Sequence, residues 1–255
     1  MKRLVLKVGS AVLTEQNRIA RQRMQNLVDF IVELRNMYEV ILVSSGAVAA
    51  GYTKLKIDKK NIANKQALAA IGQPLLMRLY KKKLEKYHVL PAQVLVTAAN
   101  FETAEQSDRV RNTVEPLLRH GVIPIVNEND ATATQELELG DNDQLSAYTA
   151  VAFNADMLVI LSDIDAYYDR DPNQHADAHI KLHVNAINSD ELSKKMTPNN
   201  SFATGGIVTK LKAAAYMLEH HKTMYLASGF DLHDAREFLL HHNHTGGTLF
   251  SRGNA

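Results

Sequence analysis

Short apolar runs alternate with segments of helical periodicity along most of the chain. The runs at 3–9 and 40–46 are rich in Val, Leu and Ile and end in small residues, which is typical of strands buried on both faces. Between them, apolar residues recur at helical spacing over 20–37. The same alternation predicts further helices at 62–86, 107–119, 142–154, 206–220 and 232–241, and further strands at 92–97, 122–127, 157–163, 223–228 and 247–251.

Repeated alternation of strand and helix predicts an α/β fold with a mostly parallel central sheet and helices on both faces, a three-layer α-β-α sandwich. No linker, repeat or low-complexity block divides the sequence, so we expect a single domain over 1–255. An apolar content of 45% is enough for a full core at this length. In open sheets of this type, ligands bind at the carboxyl ends of the strands, and candidate site residues are therefore sought there.

The overall charge limits the class of partner. Lys and Arg number 29 and Asp and Glu 28, which argues against an extended surface for nucleic acid or membrane. The chain has no cysteine, so disulfides and thiolate metal sites are excluded. It begins with a strand-like segment, without a signal-peptide pattern or an apolar run of about 18 residues. We therefore expect a cytoplasmic protein.

Residues 127–143 are unusual in this nearly neutral chain, because they carry six carboxylates and no Lys or Arg. The segment directly follows the apolar strand predicted at 122–127, so it is expected to lie at the ligand-binding edge of the sheet. Alternation of polar and apolar residues over 132–139 predicts an exposed hairpin, with Glu136 and Glu138 facing solvent. Such concentrated negative charge predicts a positively charged group of a partner or substrate nearby.

Three glycine-containing segments, 7–14, 44–51 and 204–210, also follow predicted strands or precede predicted helices. Glycine lets the backbone approach an anion, and N–H groups at a helix N-terminus bind phosphate oxygens. Lys7 and Lys210 lie in the first and third segments. Each segment alone is a weak signal, and neither Walker A nor G-x-G-x-x-G spacing occurs. Together they predict a cavity for several phosphates, which is what phosphoryl transfer requires.

The order of the motifs resembles a known family. The blocks LVLKVGSAVLT, VSSGAVAAG, KQALAAIGQ, IPIVNENDA, GDNDQLSA, LSDIDAYYDRDP, TGGIVTKLKAA and GTLF are similar to successive blocks of the amino acid kinase family, most closely its glutamate 5-kinase group. The resemblance covers residues 3–251, and NEND with GDND is its most specific part. It implies ATP-dependent phosphorylation of the L-glutamate side-chain carboxylate to L-glutamyl 5-phosphate, the first step of proline biosynthesis.

The resemblance also assigns roles to individual residues. The catalytic set comprises Lys7 and Lys210, which would flank the phosphates, and Asp143, which would hold both lysines by ion pairing. The glutamate-binding set comprises Ser45, Asp130 and Asn142, with Asn127, Glu128 and Asp141 as neighbours. The ATP-binding set comprises Lys7, Gly9, Ser10, Ser162, Asp163, Thr204, Gly205, Gly206, Ile207, Val208, Thr209 and Lys210. Mg²⁺ is implied as a largely hydrated ion that bridges phosphate oxygens, so no protein metal ligands are expected.

Partners follow from the same resemblance. It implies L-glutamate as substrate, proline as a feedback inhibitor, glutamyl phosphate reductase as the downstream partner, and a homo-oligomer. Many glutamate 5-kinases carry a second, C-terminal domain of the PUA type, and this sequence resembles the short form without it.

Two other functions remain open at this point. The first is a related kinase acting on aspartate, acetylglutamate or a nucleoside monophosphate. It is disfavoured because acids suit a free ammonium, which acetylglutamate lacks, and because a nucleotide acceptor needs cationic contacts. The second is an inactive glutamate sensor, which is disfavoured because Lys7, Lys210 and Asp143 are all present. A structural alternative also exists for Asp141 and Asp143, since aspartate is common at helix N-termini.

Overall fold

The computed structural model describes residues 1–133, 142–188, 191–192 and 206–253. The strands are β1 Lys2–Val8, β2 Thr14–Glu15, β3 Arg18–Ile19, β4 Tyr38–Ser44, β5 Pro91–Val96, β6 Ile123–Glu128, β7 Met157–Ser162, β8 His183–Val184, β9 Thr223–Ser228 and β10 Thr248–Phe250. The helices are α1 Ser10–Leu13, α2 Arg21–Leu34, α3 Ala47–Tyr52, α4 Ile62–Leu84, α5 Ala104–Arg119, α6 Asn142–Ala152, α7 Gly206–Glu219 and α8 His233–His241.

One eight-stranded sheet runs through the described residues in the order β5-β6-β4-β1-β7-β9-β10-β8. Across the sheet, each strand from β5 through β6, β4, β1 and β7 to β9 is parallel to its neighbour. The strand β10 is antiparallel to β9 and parallel to β8. The predicted mostly parallel sheet is therefore confirmed. The short hairpin of β2 and β3, the helix α1 and the strand β8 were not predicted, and the hairpin predicted at 132–139 lies largely outside the described residues.

Alternate side chains of the central strands pack into two separate hydrophobic cores, one on each face of the sheet, and this produces the three layers. Leu4 and Leu6 of β1 pack with α2, α4 and α8 on one face of the sheet. Val5 of β1 and Ile41 of β4 pack with α5, α6 and α7 on the other face. Because side chains alternate across a strand, both faces of a central strand must be apolar to sustain this arrangement.

A close approach of α3 and α4 fixes the segment that follows β4. A Cβ atom on Gly51 would lie 1.9 Å from the Leu68 carbonyl oxygen, and one on Gly72 would lie 1.7 Å from the Ala47 carbonyl oxygen. Only glycine fits at either position, since no real Cβ contact is so short. The two helices therefore meet backbone to backbone, and this contact anchors α3 with its N-terminus at the carboxyl end of β4. No helix within the described residues has the length and apolarity needed to cross a membrane.

Candidate active site

The carboxyl ends of β1, β4, β6 and β7 meet at one edge of the sheet and bring the predicted motifs together. The register aligns Val8 with Ser44 across β1 and β4, and aligns Val8 with Leu161 across β1 and β7. Residues at the ends of β1, β4 and β6 and in the turns after them consequently border one crevice. The positional rule for open parallel sheets predicted this edge from the sequence.

Two lysines converge on one aspartate at this edge. The Lys7 ammonium donates a hydrogen bond to Asp143 Oδ1, and Lys210 Nζ donates to Asp143 Oδ2 at 3.0 Å. The Thr209 hydroxyl also donates to Asp143 Oδ2 at 3.0 Å. The exposed fractions of Lys7, Asp143 and Lys210 are 3%, 0% and 5%, so the whole cluster is removed from bulk water. We call these three charged residues the lysine–aspartate cluster.

The lysine–aspartate cluster carries one more positive than negative charge when all three groups are ionised. Burying ionised groups costs several kcal/mol per ion unless geometry and hydrogen bonds compensate. Two ammonium groups held at the carboxyl edge of the sheet are suited to an anion such as a phosphate. From the sequence, Asp143 could have been only the cap of a helix. In the fold its carboxylate oxygens accept hydrogen bonds from side chains of β1 and α7.

A second polar cluster is built from amides. Asn142 Nδ2 donates to Ser45 Oγ at 3.1 Å and to Asn127 Oδ1 at 2.8 Å. Asn127 Nδ2 donates to Gln73 Oε1 at 2.9 Å, and Gln73 Nε2 donates to Gln93 Oε1 at 3.1 Å. We call the four amide side chains Asn142, Asn127, Gln73 and Gln93 the amide row. It joins Asn142 and Asn127, both predicted to bind glutamate, to two glutamines that the sequence did not single out, and Asn142 links the row to Ser45.

A cavity of about 330 Å³ opens beside the amide row. Five of the residues predicted to bind glutamate line it, namely Ser45, Asn127, Glu128, Asp130 and Asn142. The sixth, Asp141, lies outside the described residues. The rest of the lining comes from the turn after β1, the hairpin of β2 and β3, the start of α3, the segment leading into α4 and the first turn of α4. These residues are Ser10, Thr14, Asn17, Gly46, Ala47, Val48, Ala49, Lys59 and Lys65.

The cavity has both signs of charge on its walls. Glu128 and Asp130 are acidic, and Lys59 and Lys65, both half-buried, are basic. Burial raises the pKa of Asp130 to about 6 from the ordinary value of 3.8. A buried carboxylate that titrates near neutrality gains from a cationic ligand, because the ligand's positive charge favours the ionised form. A small zwitterion with extra carboxylate therefore suits this lining.

The predicted nucleotide residues lie around the ends of β1 and β7. The Gly9 N–H donates a hydrogen bond to the Leu161 carbonyl oxygen at 2.9 Å, which holds the turn after β1 against the end of β7. This N–H is therefore already used within the protein. The buried Ser162 hydroxyl donates to Asp163 Oδ1 at 2.9 Å and accepts from the Ile164 N–H at 3.2 Å. The exposed groups at these turns belong to Ser10 and Asp163.

The third glycine-rich segment is only partly described. Gly206, Ile207, Val208 and Thr209 form the first turn of α7, whereas Thr204 and Gly205 lie outside the described residues. Lys210 Nζ also donates to the Gly206 carbonyl oxygen at 3.0 Å, which bends the lysine back toward the start of its helix. In the described part of the chain, no group of three or more His, Cys, Asp or Glu side chains has the arrangement of a metal site.

Sequence reasoning missed several residues of the site. Lys59 precedes α4 and Lys65 lies in its first turn, in a lysine-containing stretch whose sequence is typical of solvent-exposed surface. Gln73 carried a usable signal, because it is a polar residue within the apolar stripe of α4 and only 7% of it is exposed. A buried polar side chain needs a partner, and asking for that partner would have connected Gln73 with the acidic run.

Comparison with known proteins identifies the family of this chain. A model of the amino acid kinase family matches residues 2–228. A glutamate 5-kinase of Wolinella succinogenes is 53% identical over 258 residues, covering 99% of this chain and 99% of the relative. A glutamate 5-kinase of Leishmania donovani is 53% identical over 250 residues, covering 98% of this chain and 95% of the relative.

Similarity of fold extends to more distant proteins. Carbamate kinase from Giardia lamblia, solved bound to AMP-PNP, superposes with a TM-score of 0.66 over 98% of both chains at 15% sequence identity. At that identity the likeness concerns the fold alone. Because the family model spans most of the sequence and two relatives match it at 53% identity over nearly their whole length, this chain belongs to the glutamate 5-kinase group of the amino acid kinase family.

Proposed function

We propose that this chain catalyses the ATP-dependent phosphorylation of the L-glutamate side-chain carboxylate, giving ADP and L-glutamyl 5-phosphate for proline biosynthesis. The observation that carries the proposal is the position of the buried lysine–aspartate cluster at the same sheet edge as the acid- and amide-lined cavity. The glutamate 5-kinases that match nearly the full length support the same substrate pair. The chain is proposed to act as a single catalytic domain.

The chemical step needs no general base. The side-chain carboxyl of glutamate has a pKa of about 4.3 and is already ionised at neutral pH. One of its oxygens attacks the γ-phosphorus in line, the bond from that phosphorus to the oxygen bridging to the β-phosphorus breaks, and ADP leaves with the bonding electrons. Lys7 and Lys210 stabilise the negative charge on the transferring group and the leaving phosphate, while Asp143 holds both lysines in position.

The two lysine ammonium groups and the N–H groups at the start of α7 are donors that fit a polyphosphate, and Mg²⁺ belongs to the proposal as the hydrated partner of its oxygens. When bound, the ion would neutralise phosphate charge, which would lower repulsion toward the incoming carboxylate. Lys7 and Lys210 contribute fixed positive charge from the protein. Asp143 and the hydroxyl of Thr209 orient Lys210, whose second bond to Gly206 leaves little freedom to its ammonium.

The cavity matches both ends of glutamate. Asp130 and Glu128 supply negative charge for the α-ammonium, and Lys59 and Lys65 supply positive charge for a carboxylate. Ser45 lies where the segment after β4 enters the cavity, between the amide row and α3. Acids alone would repel a substrate with two carboxylates, so the half-buried lysines are needed to balance its charge.

An ADP-release assay with L-glutamate, L-aspartate and N-acetyl-L-glutamate tests the proposed function. We expect turnover with glutamate and a kcat/KM for aspartate and acetylglutamate lower by at least about 10²-fold, because the shorter or blocked acceptor leaves buried polar groups unpaired. Preference for aspartate would identify a different kinase of the family. Absence of turnover with every acceptor, combined with a glutamate-induced rise in Tm, would identify the glutamate sensor instead.

The raised pKa of Asp130 predicts a pH dependence of glutamate recognition. Asp130 must be ionised to bind the ammonium, and burial places its pKa at about 6 in the free protein. Lowering the pH from 8 to 5 should therefore raise the KM for glutamate, with the change centred near pH 6. Asp130→Asn should raise this KM at pH 8 by about 10-fold or more and abolish the change near pH 6. An unaltered pH profile in Asp130→Asn would assign the titration to another group.

Further partners are part of the same proposal. Proline would compete with glutamate at or beside the cavity, glutamyl phosphate reductase would consume the labile acyl phosphate, and the chain would assemble as a homo-oligomer. A cytoplasmic location is proposed because both ATP and free glutamate are available there.

A further inference from the structure

The hydrogen bonds of Asn142 leave one polar atom of its side chain for a ligand. An asparagine amide has two N–H donors and one carbonyl oxygen. Both donors of Asn142 are used, one by Ser45 Oγ and one by Asn127 Oδ1. Within the part of the chain that the structure describes, no donor reaches Asn142 Oδ1. Since Asn142 lines the cavity, its carbonyl oxygen is the atom that this side chain can offer to a ligand.

The same bonds determine what Ser45 can offer. A serine hydroxyl has one donor and two acceptor positions. Because Ser45 Oγ accepts from Asn142 Nδ2, its own proton is free to point at another acceptor. Asn142 thus presents an acceptor to the cavity and Ser45 presents a donor. This is the pair of groups that an amino acid needs, because its ammonium donates hydrogen bonds and its carboxylates accept them.

The rest of the amide row decides which way Asn142 faces. The NH₂ group of each amide donates a hydrogen bond to the carbonyl oxygen of the next, from Asn142 to Asn127, then to Gln73 and then to Gln93. Rotating one amide by 180° would set NH₂ against NH₂ or oxygen against oxygen at its neighbours. Asn127 and Gln73 are 2% and 7% exposed, so water cannot readily repair such a mismatch. The orientation of Asn142 is therefore tied to that of Gln73.

We propose that Gln73 is a positioning residue for substrate recognition. By accepting a hydrogen bond from Asn127, it fixes the orientation of the amide row. In that orientation Asn142 directs its carbonyl oxygen toward the substrate ammonium, and Ser45 directs its hydroxyl proton toward a substrate carboxylate. The identity of the substrate as glutamate rests on the proposed function. Gln73 does not contact the substrate in this arrangement. It acts through two intervening amides, over a path that starts in α4 and ends at Ser45.

Gln73→Met tests the role directly, because methionine fills a similar volume but accepts no comparable hydrogen bond. We expect the KM for glutamate to rise by about 10-fold, the KM for ATP to stay within about 2-fold, and kcat to fall by less than about 3-fold. Gln73→Glu keeps an oxygen acceptor for Asn127 and should restore the KM for glutamate to within about 3-fold of the parent. Gln22→Met is the matched control, because Gln22 is an exposed glutamine of α2 outside the amide row, and it should change this KM by less than about 2-fold.

Binding of an analogue separates positioning from general damage. Glutarate has the two carboxylates of glutamate and no ammonium, so it does not use the carbonyl oxygen of Asn142. Gln73→Met should weaken the binding of glutamate more than the binding of glutarate. This difference between the two ligands should vanish in an Asn142→Ala background, where no amide at position 142 remains to be oriented. An equal loss for both ligands, or an undiminished effect of Gln73→Met in Asn142→Ala, would overturn the proposal.

Two readouts keep this inference distinct from the proposed function. The rise in Tm caused by glutamate or glutarate reports binding without turnover, so the amide row can be tested even in a protein that transfers no phosphoryl group. Failure of turnover in the parent protein would remove the proposed function and leave the binding comparison intact. Normal turnover with unchanged glutamate selectivity in Gln73→Met would remove the role of Gln73 alone.

Discussion

Replacement of Lys210 by alanine is expected to lower kcat by about 10²- to 10³-fold while changing the KM for glutamate by less than about 3-fold. The Lys210 ammonium is 3.0 Å from Asp143 Oδ2 at the start of α7, on the proposed phosphate side of the crevice. Its charge matters most when negative charge shifts between the transferring group and the leaving phosphate, and less when glutamate binds in its separate cavity. Steady-state kinetics with both substrates varied would measure the two effects independently.

Lys212→Ala provides the matched control for this variant. Lys212 lies in the same helix two residues later but is exposed, so its removal takes away a positive charge without touching the crevice. It should retain kcat within about 2-fold. A Lys210→Ala protein that turned over at the parental rate and merely needed more glutamate would contradict the assignment of Lys210 to the phosphate side.

Asp143→Asn is expected to abolish measurable turnover and to destabilise the fold by about 3–5 kcal/mol. The carboxylate is fully buried and is the shared partner of Lys7 and Lys210, so its neutralisation leaves two buried ammonium groups facing each other. For a chain of this length, such a loss corresponds to a fall in Tm of roughly 10 °C. Thermal unfolding followed by circular dichroism would measure it.

Added anions should distinguish electrostatic damage from simple misfolding in Asp143→Asn. ATP or inorganic phosphate can replace part of the missing negative charge, so either should raise the Tm of this variant more than that of the parent. Asp108→Asn is the control, because Asp108 forms an exposed ion pair with Arg111 and should cost less than about 1 kcal/mol. Parental thermal stability in Asp143→Asn would show that the lysines do not depend on this carboxylate.

Much of the fold was predictable because its elements are long and locally consistent. The helices α2 and α4 and the strands β1 and β4 each carry several turns or residues of apolar pattern, and their predicted boundaries differ from the structure by a few residues. The strand β8 has two residues, and so does each strand of the hairpin that contains Thr14. Segments that short have no periodicity, so only tertiary contacts make them strands.

The candidate site was predictable in its location and in most of its polar residues, but not in its connections. Lys7 and Asp143 are 136 residues apart in sequence and meet only because β1 ends and α6 begins at the same edge of the sheet. Nothing local to Asp143 separates a helix cap from an ion-pair partner. Gln73 and Gln93 were missed because the amide row is a long-range contact between α4, β5, β6 and α6.

The crossing of α3 and α4 has a consequence for the range of acceptors. Gly72 directly precedes Gln73, and it touches Ala47, whose neighbours Gly46 and Val48 line the cavity. A methyl group at Gly72 would meet the backbone of α3, so α3 and the part of the cavity lining that it carries would have to move away from α4. The shape of the acceptor cavity therefore depends on a residue that has no side chain at all.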